Sequence, residues 1–469
     1  MFALEALKAD LDGLRIEENA AVVRQKSRDF YWYSPVLKRQ LDAVTADLVV
    51  TPRDEAEVIR VLAACYRHDV PVTPRGAGTG NYGQAMPLSG GVLLNLTEMS
   101  RVVSIRPGAV VAEAGAILEQ IDAATRAHSG QELRLHPSTY RTATVGGFVA
   151  GGSGGVGSIR WGGLRDLGNV IRLRVVTMEA EPRVLELVGD DLAKVAHAYG
   201  TNGIITEVEM PLAPAYDWVD LVVAFDGFLE AAAFCAALGE QDGILLKELA
   251  TVAAPVAHDY FLRLQRLFRR DQSLALITVA PFAVSALAAF VARFAGATIV
   301  LRSDTADAET LKGLPPVYEL SWNHTTLRGL RVDPAITYLQ VLYPAPDALA
   351  KVARMTALLG DETPGHLEFV RFDGALGVFG LPIIRYTSEA RLDAIVRLHE
   401  QEGCPIFNPH RYTLEEGGMK RSDPVQLAFK RQADPKGLLN PGKMIAWEDP
   451  GFDFGSDKVY LFSGLGERG

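Results

Sequence analysis

Cysteine is scarce in this chain. Among 469 residues only Cys65, Cys235 and Cys404 occur, widely separated and with no CxxC pair. That excludes a disulfide scaffold and a thiolate metal centre, and it fits a reducing compartment. Long apolar runs are missing as well. The Ala-rich stretch 282–297 is interrupted by Arg293, and nothing reaches the roughly 20 residues that a membrane helix needs. The opening Met1-Phe2-Ala3-Leu4-Glu5 leads into acids every few residues and no apolar signal core, so a cytoplasmic protein is expected. There is no Lys/Arg run, and 47 basic against 57 acidic residues leave the chain mildly negative. Nucleic acid is therefore not an expected partner. Histidines stand alone: His399-Glu400 is followed by Gly403 where a zinc HExxH helix needs its second histidine, and no metal site is expected.

Glycine, in contrast, is concentrated in two loops that each follow a short apolar strand. The first is Pro74-Arg75-Gly76-Ala77-Gly78-Thr79-Gly80-Asn81-Tyr82-Gly83. The second runs from Thr144-Val145-Gly146-Gly147 through Gly151-Gly152-Ser153-Gly154-Gly155 to Gly157. Glycine lets backbone N–H groups face an anion with no Cβ in the way. Two such loops suggest one extended diphosphate ligand gripped from two sides. The first loop matches GxGxxG, but Pro87, Gly90 and Gly91 deny it the helix that a Rossmann fingerprint opens. The second matches GxSxG around Ser153, yet a nucleophile elbow needs a helix directly behind the serine. Glycines cost a helix about 1 kcal/mol each relative to alanine, so a loop is expected, with Ser153 as a hydroxyl donor.

The length implies two domains. Helical periodicity marks 4–14, 58–66 and 117–127; strand patterns mark 70–73, 91–96 and 110–114, a hairpin of 170–178 with 183–188, and 204–210. Pro211 and Pro214 punctuate a boundary. Beyond it, strand-like runs at 219–225, 274–279, 337–342 and 375–379 alternate with helical runs at 229–238, 284–294, 347–359 and 389–401. The turn-dense 434–444 suggests a return to the first domain.

These residues carry a resemblance. Arg75-Gly76-Ala77-Gly78-Thr79-Gly80 resembles the first FAD loop of the vanillyl-alcohol oxidase/p-cresol methylhydroxylase flavoproteins. Thr144-Val145-Gly146-Gly147 through Arg160-Trp161-Gly162 resembles the second, with Arg165-Asp166 where the family often has such a pair. Gly200-Thr201-Asn202-Gly203-Ile204-Ile205 and Leu439-Asn440-Pro441-Gly442-Lys443 are similar to two later segments. The nearest branch is that of the glycolate oxidase D-subunit and the D-lactate dehydrogenases. The resemblance implies an α+β fold: a two-part FAD-binding domain of the p-cresol methylhydroxylase type, with an inserted α+β substrate domain of antiparallel sheet covered by helices. The expected boundaries are 1–215 (core about 45–215), 216–404 and a return over 405–469. The cofactor-binding residues implied are Pro74, Arg75, Gly76, Ala77, Gly78, Thr79, Gly80, Asn81, Pro137, Thr144, Gly146, Gly147, Gly151, Ser153, Gly154, Trp161, Gly203, Ile205, Asn440 and Lys443. Members with covalent flavin use a histidine that falls at Thr79, or a cysteine that falls at Thr142; non-covalent FAD is therefore implied.

Oxidising an alcohol requires a base for the hydroxyl proton. Trp322-Asn323-His324-Thr325 supplies His324 as first candidate, with Asn323 beside it, and His410 as second. Glu416 stands where the hydroxy-acid branch has a histidine in the stretch leading to Lys420, and 374–380 lacks that branch's metal-binding histidines. Arg328, Arg331, Arg371 and Arg385 are the candidates for a substrate carboxylate. The expected activity is hydride transfer from a hydroxyl-bearing carbon of a small polar substrate, such as a 2-hydroxy acid, to flavin. A separate acceptor (O2, a quinone or a partner protein) would reoxidise it. The alternatives are a flavin-binding subunit needing partner subunits, an NADPH-dependent flavin reductase acting on a nucleotide-sugar-like substrate, and a nucleotide-sugar binding module. A homo-oligomer is also compatible.

Overall fold

The computed structural model describes residues 2–152, 154–372, 374–418 and 424–452. The chain divides into two compact units, one built from segments 1–153, 164–215 and 409–469, the other from 154–163 and 216–408. The ten-residue excursion 154–163 thus leaves the first unit in the middle of the second glycine segment.

In the first unit, Leu48–Thr51, Val92–Asn95 and Val72–Arg75 lie parallel in that order, with Arg15–Glu17 antiparallel at the edge. Leu48–Thr51 and Val92–Asn95 are buried at every position, as a parallel sheet covered on both faces requires. The crossover helix Glu55–Arg67 starts at Asp54, whose carboxylate accepts from Glu57 N at 2.9 Å. It buries Val58, Val61, Leu62 and Cys65. The C-terminal return joins the same sheet: Val72 N donates to Leu438 O and Asn440 N to Val72 O, both at 2.8 Å.

The unit's second sheet is antiparallel: Val102–Arg106, Ala109–Glu113, Ile204–Pro214, Arg172–Val176 and Val184–Val188, with Gln131–Leu133 also pairing with Ile204–Pro214. Of the two prolines read as a boundary, Pro211 lies inside this strand and Pro214 is its last residue, directly before the first unit's segment ends at Ala215. Pro211 is the last residue opposite Ala109, and from Leu212 the strand pairs with Gln131–Leu133 instead. A proline falls where the partner changes, a position at which a missing N–H is tolerated.

The second unit holds a seven-stranded antiparallel sheet in the order Thr298–Arg302, Val219–Phe225, Ser273–Val279, Leu246–Val252, His366–Phe372, Ala375–Gly380, Val341–Tyr343. Ser273–Val279 is buried throughout, and the helix Phe228–Gly239 lays Ala231, Ala232, Phe234, Cys235 and Leu238 into the core. The 337–342 run is two strands, Ile336–Tyr338 and Val341–Tyr343, the first pairing with Ile383–Arg385. The excursion 154–163 carries a short helix, Ser158–Trp161, against Leu246–Val252 and His366–Phe372, with Gly157 N bonded to Lys247 O at 2.8 Å. Mixed helices and antiparallel sheets in two units are the α+β architecture expected from the sequence. No helix of the described residues is long and apolar enough to cross a membrane.

Candidate functional site

The strand Val72–Arg75 delivers the chain into the first glycine loop. Arg75 turns back on that loop: Nη1 donates to Gly76 O and Nη2 to Ala77 O, both at 2.9 Å, and Nη2 also to Arg28 O at 3.4 Å. Phe30 N takes Gly80 O at 2.7 Å. With those carbonyls engaged, none of the backbone hydrogen bonds among the described residues is donated by 77–80. A half-buried run of amide donors, with the Ala77 and Gly80 carbonyls tied away, is what an anion needs. Gly78 has φ +69°, and a Cβ there would lie 2.4 Å from Arg75 Nη2. The positive φ requires glycine, and a side chain would also displace the Arg75 guanidinium from the carbonyls it holds. Thr79 is half-buried and Asn81 buried in the same turn.

The two glycine segments touch. A Cβ on Gly76 would fall 2.1 Å from Thr144 Oγ1, and one on Gly80 or Gly151 would meet the Gln84 side chain at 2.3 or 3.8 Å. The second segment departs from the sequence expectation, because Val145–Gly151 is a helix with Thr144 as its cap, Oγ1 accepting from Gly147 N at 3.2 Å. Close approach outweighs glycine's poor helix propensity. Gly146 N bonds Ala114 O and Val145 N bonds Ala116 O, both at 2.9 Å, and a Cβ on Gly146 would lie 2.6 Å from Ala114 Cβ.

The remaining expected residues divide between the units. A Cβ on Gly200 would strike Pro74 Cγ at 2.3 Å, Gly203 turns at φ +118° and Ile205 is buried in the strand that follows. Pro137 O accepts Tyr140 N at 3.0 Å just ahead of Thr144. Gly154 and Trp161 belong to the second unit, where a Cβ on Gly154 would lie 3.6 Å from Trp322 Cη2. Ser153 lies outside the described residues, as do Met419 and Lys420.

Asn440 and Lys443 brace the loop from behind. Asn440 Nδ2 donates to Gln84 O at 2.8 Å and Tyr199 O at 2.7 Å; Lys443 Nζ donates to Gly83 O at 2.6 Å and sits 4.9 Å from the Tyr412 ring centre. Both are buried. Nearby Asp29 accepts from Tyr31 N at 2.9 Å and Ala85 N at 3.2 Å. Burial pushes its carboxyl up to about 6 and the Lys443 ammonium down to about 7, each charge opposing the other's shift. Residue type alone does not mark Asp29, and the sequence reading missed it. His410, in the same unit, is buried with Nδ1 2.7 Å from Ser34 Oγ, the cap of helix Pro35–Leu41.

The second unit brings Asn323 and His324 together at the start of the helix Asn323–Val332. His324 is buried, with Nδ1 3.2 Å from Glu319 Oε2; Arg328 Nη2 is 3.5 Å from the same oxygen. Asn323 Oδ1 is buried without a hydrogen-bond partner. Preceding them, Trp322 has φ +50° and ψ −142°, a conformation that costs a residue with a Cβ about 1–3 kcal/mol. Two glutamates hold it there: Trp322 N donates to Glu368 Oε1 at 2.5 Å and the indole Nε1 to Glu248 Oε2 at 3.4 Å. His366 Nε2 lies 2.7 Å from the same Glu368 oxygen. Burial drives the Glu248 carboxyl far above the usual range, Glu368 up to about 8 and His366 down to about 4. Sequence analysis overlooked all three, although the alternation in His366-Leu367-Glu368 puts the histidine and the acid on one face of a strand. Arg371 is tied to Gly239 O at 2.7 Å, whereas Arg385 is exposed. Among the described residues no group of His, Cys, Asp and Glu is placed to hold a metal ion.

Comparison with known proteins agrees with the geometry of the first unit. The profile of the FAD binding domain family matches residues 46–186. Glycolate oxidase subunit GlcD of Bacillus subtilis is 30% identical over 195 residues, 40% of this chain and 41% of that subunit, so the match spans less than half of the relative's length. A D-lactate dehydrogenase of Archaeoglobus fulgidus is 26% identical over 425 residues, 85% of this chain and 91% of that one. Among solved structures, 4-ethylphenol oxidase from Gulosibacter chungangensis shares the fold at TM-score 0.68 and 16% identity, covering 94% of this chain and 96% of that one. The chain of amides on 77–80, the packed Gly76–Thr144 contact and the profile match converge: residues 46–186 match an FAD binding domain of the p-cresol methylhydroxylase type, and the cofactor is FAD.

Proposed function

We propose that the chain is an FAD-dependent oxidoreductase that takes hydride from a hydroxyl-bearing carbon of a small polar substrate, a 2-hydroxy acid. The observation that carries the reading is the contact between Gly76 and Thr144, which joins two glycine segments into one diphosphate cradle. Likeness to a glycolate oxidase subunit and to a D-lactate dehydrogenase supports the substrate class. When bound, FAD supplies a two-electron acceptor. The amides of 77–80 would hold its diphosphate, with Gly147 and Gly151 on the facing helix; each charge-assisted bond contributes about 1.5–3 kcal/mol. Thr79 and Thr142 offer no nucleophile for a covalent link, so acid precipitation should release all the flavin.

His324 accepts the hydroxyl proton. Its Nδ1 lies 3.2 Å from Glu319 Oε2 without hydrogen-bond geometry, which sets a carboxylate beside the ring, and Nε2 is the nitrogen offered to the substrate. Asn323, with its buried and unpartnered Oδ1, orients the substrate hydroxyl. A separate acceptor, O2, a quinone or a partner protein, removes the electrons. Partner subunits are supported by the likeness to a protein named as a subunit. Three free, buried cysteines and the acidic balance favour the cytoplasm. The test is anaerobic titration of the purified yellow protein with hydroxy acids, alcohols and NADPH. Bleaching by a 2-hydroxy acid is expected; bleaching by NADPH alone would replace this reading with a reductase.

A further inference from the structure

The acids that grip Trp322 are in an arrangement that ordinary structural carboxylates avoid. Glu248, on Leu246–Val252, and Glu368, on His366–Phe372, are 3% and 1% exposed and in hydrogen-bonding contact with each other. Two touching carboxylates without water cannot both be ionised. The neighbouring donors say which one is. Glu368 Oε1 takes both Trp322 N–H and His366 Nε2, so His366 is neutral with its proton on Nε2 and nothing bonded to buried Nδ1. Glu248 receives the distant indole N–H and the Ser321 hydroxyl, and it lacks the close backbone N–H and imidazole donors that hold Glu368 charged. Glu248 Oε1 and Glu368 Oε2 are the two oxygens that no other group reaches, which is where a shared proton belongs.

The surrounding elements bring little else that titrates. The helix Phe228–Gly239 contributes the buried Cys235 thiol, and burial holds it neutral. The strands Ser273–Val279 and Ala375–Gly380 contribute no ionisable group. The short helix Ser158–Trp161 brings only the exposed Arg160, whose guanidinium lies over the Trp161 ring.

We propose that Glu248 and Glu368 are positioning residues for Asn323 and His324: an acid–carboxylate pair holding one proton, Glu248 donating to Glu368, that fixes both N–H groups of Trp322 and so sets where the Asn323–Val332 helix begins. The proposal rests on the reading of His324 as base. Loss of the shared proton to solvent at alkaline pH leaves two negative charges in contact, and the grip on Trp322 loosens.

The test uses the FAD-loaded full chain. Infrared spectroscopy of the resting protein at pH 7 should show the C=O stretch of a buried carboxylic acid, absent in Glu248→Gln. The amide of that variant keeps a donor toward Glu368 and an acceptor toward the indole. It should therefore reduce flavin within about twofold of the parent at pH 7, and keep that rate above pH 8 where the parent declines. Glu248→Ala should bind FAD normally and reduce it about 10- to 100-fold more slowly, the scale for a misplaced catalytic group. Absence of the band, or a band that survives in Glu248→Gln, overturns the proton pair. A band lost as expected, with Glu248→Ala at the parental rate, overturns the positioning role. His324→Ala measured alongside separates the two readings: a parental rate there removes the base, while the infrared result still judges the pair. Should Glu248→Ala not fold, the alkaline profile of Glu248→Gln decides alone.

Discussion

The first glycine loop and the Trp322 clasp solve the same problem by opposite means. Around Gly78 the backbone itself is the functional group we propose. Side chains serve it from behind: Arg75 holds the carbonyls of Gly76 and Ala77, Lys443 that of Gly83, and Asn440 that of Gln84. Around Trp322 the backbone is forced, with φ +50°, and two buried acids compensate for it. Presentation of amides needs small residues in a relaxed conformation. Presentation of side chains tolerates strain if the neighbours over-determine it.

The sharpest way to break the comparison is Gly78→Asp. Its Cβ would collide with Arg75 and its carboxylate would repel a diphosphate, so the folded variant should lose its flavin absorbance entirely. Retained flavin would mean that 77–80 do not hold the cofactor. His324→Ala comes next: flavin stays bound, and reduction slows by roughly 10²–10⁴-fold, the usual scale for a lost base. Normal kinetics would shift attention to His410. Removing a supporting side chain should do less. Arg75→Gln frees the carbonyls of Gly76 and Ala77, and FAD affinity measured by titration of the apoprotein should weaken about tenfold, the equivalent of roughly 1.4 kcal/mol. An unchanged Kd would show that the loop keeps its shape alone.

The smallest effect concerns stability against pH. Burial raises the Glu248–Glu368 pair from unfolded values near 4.5, so above pH 4.5 the folded state holds a proton that the unfolded chain releases. Stability that is present below pH 4.5 is then progressively lost as pH rises through about 8. Calorimetry should show Tm falling by a few degrees between pH 5 and 8, at about 2–4 °C per kcal/mol, less steeply in Glu248→Gln. A flat profile in the parent would argue that the pair is not loaded with a proton.

These two regions also mark how far the sequence could be read. The cradle was legible because its glycines are demanded residue by residue: Gly76 by Thr144, Gly78 by its positive φ, Gly200 by Pro74. Asn440 and Lys443 were found as motif residues, but their work as braces behind the loop shows only in three dimensions. The helix at Val145–Gly151 was not legible, since its cause is contact with Ala114 and Ala116 rather than local propensity. Glu248 and Glu368 are common residues separated by 120 positions, and only the pairing of Ala250 with Glu368 across neighbouring strands brings them to one place. The candidate base His324 was picked out by composition around it; the strained tryptophan ahead of it was not.

The ten residues 154–163 have a practical consequence for anyone dissecting this protein. A gene fragment starting at 216 would leave the sheet of the second unit without the short helix that covers Leu246–Val252 and His366–Phe372. The complementary fragment would carry that helix with nowhere to dock. Neither half is a modular cassette, and exchanging the second unit among relatives would have to transplant the excursion together with the larger insert.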